Sequence, residues 1–166
     1  MKNIHQDNQG FTLLELLLYV FVASGILLSI VALVAVLIQS RVKNQTISTV
    51  EQQGSQIIQL VTQEINNAKI ITAPAVGSSS AILQFQDTNG QSEQLSVVSS
   101  TLFLNKNNKD YFLNPSTIKV SNWQVTNLGI ASHDSIKIQF DLNYNNLAGL
   151  NQYSYVQTFY ATANIR

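Results

Sequence analysis

Directly after Gly10 the chain carries FTLLELLLYVFVASGILLSIVALVAVLI, twenty-eight residues ending at Ile38 in which Glu15 is the only charged side chain. As a helix rising about 1.5 Å per residue, this run is roughly 42 Å long, more than the roughly 30 Å of hydrocarbon in a bilayer. A chain with such a segment must hide a long apolar surface from water, in lipid or among other apolar helices. A carboxylate at the centre of a membrane helix costs about 2.5–3.5 kcal/mol, and an ionisable group there is by default a functional hypothesis with a partner to be named. Glu15 lies near the start of the run and can reach toward headgroups. Once packed among apolar helices it needs a cation.

The preceding stretch, Met1-Lys-Asn-Ile-His-Gln-Asp-Asn-Gln-Gly10, is polar and without apolar periodicity. An ordinary secretory signal puts its apolar core before a small-residue cleavage site. Here the candidate small residue comes first, so removal of residues 1–10 leaves the apolar helix attached to the rest. Gly10-Phe-Thr-Leu-Leu-Glu15 followed by the long apolar run resembles the class III signal of type IV pilins and of the pseudopilins of type II secretion. The resemblance implies that a prepilin peptidase cuts between Gly10 and Phe11 on the cytoplasmic side and methylates the new amino group of Phe11. It also implies a role for Glu15, as the ion-pair partner of the amino-terminal nitrogen of a neighbouring subunit's Phe11. An acid that instead caps the first helical turn, favoured by the helix dipole, is a plainer reading of the same residue.

Charge does not settle orientation: one Lys precedes the apolar run, while Arg41 and Lys43 follow it, so a count of Lys and Arg does not place the amino terminus inside. The resemblance implies a cytoplasmic amino terminus and an exported remainder. Ser24 and Gly25, with Ala23, Ser29 and Ala32, are small residues of the kind that let membrane helices approach closely. Many major pilins have a helix-breaking proline where this chain has Ala32, which is a departure from that pattern.

Beyond Ile38 the composition turns polar, but helical periodicity continues. Ile47, Val50, Gly54, Ile57, Val61, Ile65 and Ala68 recur three and four apart, the stripe of an amphipathic helix. Pro74 and Gly77 are expected to end it. The expected organisation is a leader at 1–10, the membrane or filament-core half of a helix at 11–39, its amphipathic half at 40–71, and an exported β domain at 72–166. In that domain 81–86 and 91–98 flank Asn89-Gly90, the signature of a hairpin with a type I′ turn. Thr101–Leu104 and Tyr111–Leu113 flank a polar turn. Ile118, Val120, Trp123 and Val125 alternate with one slip, which predicts a bulge near Asn122. Alternation runs without fault through Ile136–Tyr144, and again from Tyr153 to Ile165. The expected fold class is α+β, pilin-like, with an antiparallel sheet laid on the helix's second half.

The net charge is zero and there is no basic patch, so nucleic-acid binding has nothing to rest on. With no Cys and two His, thiol and metal chemistry are short of ligands. Ser132-His-Asp-Ser135 reads as a turn before a strand, since triads are assembled from residues distant in sequence. Asp141-Leu-Asn-Tyr-Asn145 begins like a calcium loop but lacks its glycine, and has Gln152 where Glu is required. Asn44-Gln-Thr46 is a glycosylation triplet, meaningful only in a host with the machinery. Neither an enzyme nor a cofactor is expected. What remains is a structural subunit of a type IV filament, most similar to a minor pilin or pseudopilin, serving a pilus, competence or type II secretion. Its implied partners are the prepilin peptidase, other pilin or pseudopilin subunits, an inner-membrane assembly platform and the lipid bilayer. The competing class is a binding protein: a tip-located adhesin or DNA-capturing pilin, or a plain signal-anchored surface receptor.

Overall fold

One helix, α1, runs from Leu13 to Asn67, and nine antiparallel strands follow it in a computed structural model that describes residues 12–129, 135–146 and 149–165. The chain divides into two units, Met1–Arg41 and Val42–Arg166, and α1 contributes to both. In the first unit the described helix is apolar on every face as far as Ile38, with Glu15 its one charge there, and none of it is buried. In the second, α1 buries one stripe: Thr46, Val50, Gly54, Ile57, Val61 and Ile65. This is the periodic stripe of the sequence, except that Thr46 takes the buried position expected for Ile47. Thr46 is tolerated because its hydroxyl donates to the Val42 carbonyl at 3.0 Å.

The helix stops before Pro74 and Gly77 are reached. Asn66-Asn67 are poor helix formers, and the β-branched Ile70, Ile71 and Thr72 that follow prefer a strand. The Lys69 amide already donates to the Gln86 carbonyl at 2.7 Å. Residues 70–73, assigned in part to the helix from sequence, are therefore strand β1 (Ile70–Ala73). The strands after it are β2 (Ser79–Ser80), β3 (Ile82–Gln86), β4 (Ser92–Val98), β5 (Thr101–Lys106), β6 (Lys109–Phe112), β7 (Ile118–Asn127), β8 (Ser135–Tyr144) and β9 (Val156–Asn164). They form two sheets where one was expected, ordered β1-β3-β4-β5-β6 and β2-β7-β8-β9.

Asn114 joins the sheets where the chain passes from one to the other. It is buried; its side-chain oxygen accepts from the Leu102 amide at 2.7 Å, and its side-chain nitrogen donates to the Ile118 carbonyl at 2.6 Å. One asparagine thus satisfies a backbone group of each sheet where water does not reach.

Turn chemistry is redistributed relative to expectation. Of Asn89-Gly90 only Gly90 takes a positive φ, 78°, and the Asp87 carboxylate accepts from the amides of Asn89 and Gln91. The two-residue turns with both residues left-handed lie elsewhere, at Ser99-Ser100 (φ 50° and 64°) and Asn107-Asn108 (φ 55° and 58°). They tie Val98 to Thr101 and Lys106 to Lys109, the pairing that type I′ turns produce. The bulge in β7 falls where the broken alternation put it: pairing with β8 slips between Ser121 and Gln124, with Asn122 at φ 50°. The last alternating stretch starts later than expected, because Tyr153 belongs to a 3-10 turn, Asn151–Tyr153, and the strand begins at Val156.

A single core fills the second unit. Val50, Ile57, Val61 and Ile65 of α1 join Leu83, Phe85, Leu95 and Leu102 of one sheet and Ile118, Val125, Ile138 and Phe140 of the other. Each fully buried side chain of this kind contributes about 1.5–3 kcal/mol. Gly54 marks the closest approach of helix and sheet. A Cβ built there falls 2.1 Å from the Phe159 ring, which is itself stacked on Phe140 at 5.5 Å between centroids. Substituting Gly54→Ala should therefore lower stability by about 1–3 kcal/mol, the usual cost of overpacking. Denaturant unfolding of the full chain in detergent measures it. The loss should shrink when Phe159→Leu is added, since contacting residues do not behave additively.

Candidate functional site

The sequence places its functional residues at the start of α1. Gly10 and Phe11 lie outside the described residues; Glu15, Ser24 and Gly25 lie within them. Thr12 caps the helix: its hydroxyl accepts from the Glu15 amide at 3.3 Å and its carbonyl from the Leu16 amide at 3.2 Å. Glu15 is thus the third residue of the first turn, in a Thr-x-x-Glu arrangement that suits a capping box and places a negative charge at the positive end of the helix dipole. The carboxylate is exposed, and among the described residues it has no ion-pair partner: the two ion pairs found there both involve Lys106.

The apolar surface beyond Glu15 is open on all sides. Leu13 is 84% exposed, Phe21 77% and Leu28 68%, and the most apolar window of α1 has a mean hydropathy of 2.9. By length and composition α1 is a candidate single membrane span. The two serine hydroxyls inside this stretch are satisfied locally. The Ser24 hydroxyl donates to the Val20 carbonyl at 2.6 Å and that of Ser29 to the Gly25 carbonyl at 2.9 Å. Neither hydroxyl would enter hydrocarbon unpaired. Gly25, Ser29 and Ala32 fall on one face at spacings of four and three. A Cβ added at Gly25 meets nothing, so the protein's own fold does not require glycine there.

Chemistry elsewhere in the second unit is sparse. Ser132, His133 and Asp134 lie outside the described residues. Asp141 and Asn143 sit in the regular strand β8, not in a loop, and Asp141 accepts from the Asn122 side chain. The triplet at Asn44 lies within α1, and its Thr46 is buried and already bonded. An open cleft of about 500 Å³ beside the β7 bulge is lined by neutral side chains, among them Ser79, Ser80, Asn122 and Gln139.

One charged cluster was missed from sequence. Glu93 on β4 faces the core with its carboxylate fully buried, and Lys106 on β5 reaches it at 2.9 Å. Glu64 of α1 lies 3.5 Å from the same ammonium. The hydrogen bond to Glu93 holds the Lys106 amine above its ordinary value of 10.5; the nearby Glu64 charge adds to this and burial opposes it. The signal was present: Glu93 is in phase with the inward Leu95, so strict alternation puts a carboxylate inside.

Comparison with protein-family models, curated proteins and solved structures gives no match.

Removing Lys106 leaves a buried carboxylate uncompensated. Lys106→Met should cost stability toward the lower end of the about 3–5 kcal/mol typical of such losses, because the lysine is partly exposed, and adding Glu93→Leu should recover most of it. The pH dependence follows from the raised lysine value. The contribution is complete below the ordinary 10.5 and disappears as pH climbs through the higher folded-state value. Unfolding titrations from neutral to strongly alkaline pH, wild type against Lys106→Met, measure it.

Proposed function

We propose that this chain is a structural subunit, a minor pilin or pseudopilin, of a type IV filament. It is held first as a single-pass membrane protein with its amino terminus in the cytoplasm. A prepilin peptidase cuts it between Gly10 and Phe11 and methylates Phe11, and an inner-membrane assembly platform then passes it into a cell-surface or periplasmic filament. The observation that carries this reading is the register Gly10-Phe-Thr-Leu-Leu-Glu15 leading into an apolar helix that nothing among the described residues covers. Support comes also from α1 itself, whose apolar start is followed by a striped second half that anchors a β domain.

The energetic logic is a single ion pair. A lone carboxylate within apolar surroundings costs about 2.5–3.5 kcal/mol. Four residues of helix span about 6 Å, so the amine released at Phe11 would stand close to the level of Glu15, and in the proposed filament it pairs with the acid of an adjacent subunit offset along the axis. Losing one partner of a buried pair costs about 3–5 kcal/mol. Cleavage would then create the cation that packing requires, and an uncut chain would enter a filament poorly.

Co-expression with a prepilin peptidase should shorten the chain by residues 1–10 and leave N-methylphenylalanine at its new terminus, read by intact-mass spectrometry. An uncut product would favour a plain surface anchor. Glu15→Val should leave membrane insertion intact or improved and abolish recovery of the subunit in sheared filaments. Gly25→Leu should leave the β domain unchanged and reduce that recovery.

A further inference from the structure

Sheet edges expose unpaired backbone groups, and proteins usually blunt them. Three of the four edges here are blunted. Strand β1 has four residues, a register slip and Pro74 directly after it; β2 has two residues; β6 has four and opens with Lys109-Asp110. Strand β9 has none of these devices. Its nine residues, Val-Gln-Thr-Phe-Tyr-Ala-Thr-Ala-Asn, hold no charge and no proline, and they pair with β8 without interruption from Asn143↔Val156 to Ser135↔Asn164.

The direction of its free groups follows from one bond. In the continuation of that register the Tyr144 amide donates to the Tyr155 carbonyl at 3.3 Å. Hydrogen-bonded positions alternate along an antiparallel pair, so the odd-numbered residues of β9 bond to β8. The N–H and C=O of Val156, Thr158, Tyr160, Thr162 and Asn164 therefore point to the open edge. No turn, loop or cap hydrogen bond among the described residues reaches them.

We propose that β9 is the seam of a symmetric dimer of this chain, two β9 strands adding antiparallel, edge to edge, about Tyr160. The strand is self-complementary in that register. On the outward face Tyr160 meets its own copy, Thr158 meets Thr162, and Val156 meets Asn164. Aromatic and Thr–Thr pairs across strands are favourable. On the inward face Phe159 meets Ala161 and Gln157 meets Ala163, large against small. Charges agree as well. Lys137 is the β8 neighbour of Thr162, and Asp141 that of Thr158. Pairing Thr162 with the copy's Thr158 therefore places each Lys137 in one row with the copy's Asp141, about 14 Å away over three strand spacings. No like charges face one another across the seam, and the four-stranded sheet becomes one of eight. This complementarity is why a second copy fits the edge better than an unrelated strand, and it does not depend on the filament reading.

The chain contains no cysteine, so the register can be read by crosslinking the full chain in dilute detergent with a short bismaleimide. Tyr160→Cys alone should give a dimer. Val156→Cys mixed with Asn164→Cys should give a heterodimer, while either alone gives none, because its own copy lies about 27 Å away. Thr158→Pro removes an outward N–H at a position an edge strand tolerates; it should abolish the mixed crosslink without moving the denaturation midpoint. A chain that sediments as a monomer at all concentrations overturns the proposal. So does crosslinking of Val156→Cys to itself, a mixed crosslink no stronger than either single one, or a mixed crosslink that survives Thr158→Pro.

Discussion

A single helix has to satisfy two surroundings, and the residues of α1 divide according to which one they meet. From Leu13 to Ile38 apolar side chains occupy every face, and the two serine hydroxyls that interrupt them, Ser24 and Ser29, bond back to their own backbone. From Val42 onward the apolar content contracts to a stripe matched to the core of a β domain. A helix apolar on all sides in water is unstable alone unless lipid or other helices cover it. The second half gains its stability from tertiary packing, and Gly54 brings the backbone close enough for the Phe159 ring to lie against it.

The interior of the β domain also depends on polar groups that its apolar content would not predict. Asn114 lets two sheets share a core without an unsatisfied backbone group at their junction. Glu93, Lys106 and Glu64 tie adjacent strands and the helix through one ammonium. A buried ion pair often adds little net stability over apolar residues of the same size, but it penalises every arrangement in which either partner is left alone. In a hairpin whose strands could slip, that penalty fixes register. The Trp123 indole nitrogen is buried with no hydrogen-bond partner in the described residues, and the packing of its ring against Phe140, 5.9 Å between centroids, accompanies that cost.

Periodicity made most of this legible before any coordinates. The stripe of α1, the slip near Asn122 and the inward faces of β7 and β8 all follow from counting residues, because burial on one side imposes a period that the chain must obey. What escaped was decided by competition between segments. The helix ends at Asn67 because Ile70–Ala73 finds a partner in β3, a gain that no local breaker announces. The division into two sheets hinges on Asn114, an ordinary polar residue until its neighbours are known. The type I′ turns formed at Ser99-Ser100 and Asn107-Asn108 although Asn89-Gly90 has the better local signature, because there the Asp87 carboxylate organises a longer turn. Of the candidate site, Glu15, Ser24 and Gly25 lie as the helical reading placed them, whereas the cleavage pair falls outside the described residues.

The position of the cap bears on how a processed helix would behave. Thr12 supplies both its hydroxyl and its carbonyl to the first turn, so the start of α1 is fixed by a residue downstream of Gly10. In the proposed subunit, removing residues 1–10 would leave that cap intact and present the new amine one residue ahead of it. Glu15 would then serve twice: within its own chain as an acid at the positive end of a dipole, and between chains as the counter-charge of an amine. The two roles are compatible because the capping bond uses the Glu15 backbone amide, and among the described residues no hydrogen bond or ion pair engages its carboxylate oxygens. An acid whose side chain was consumed by its own helix terminus could not recruit a neighbour. The geometry of the first turn therefore keeps free the one group that apolar packing would otherwise reject.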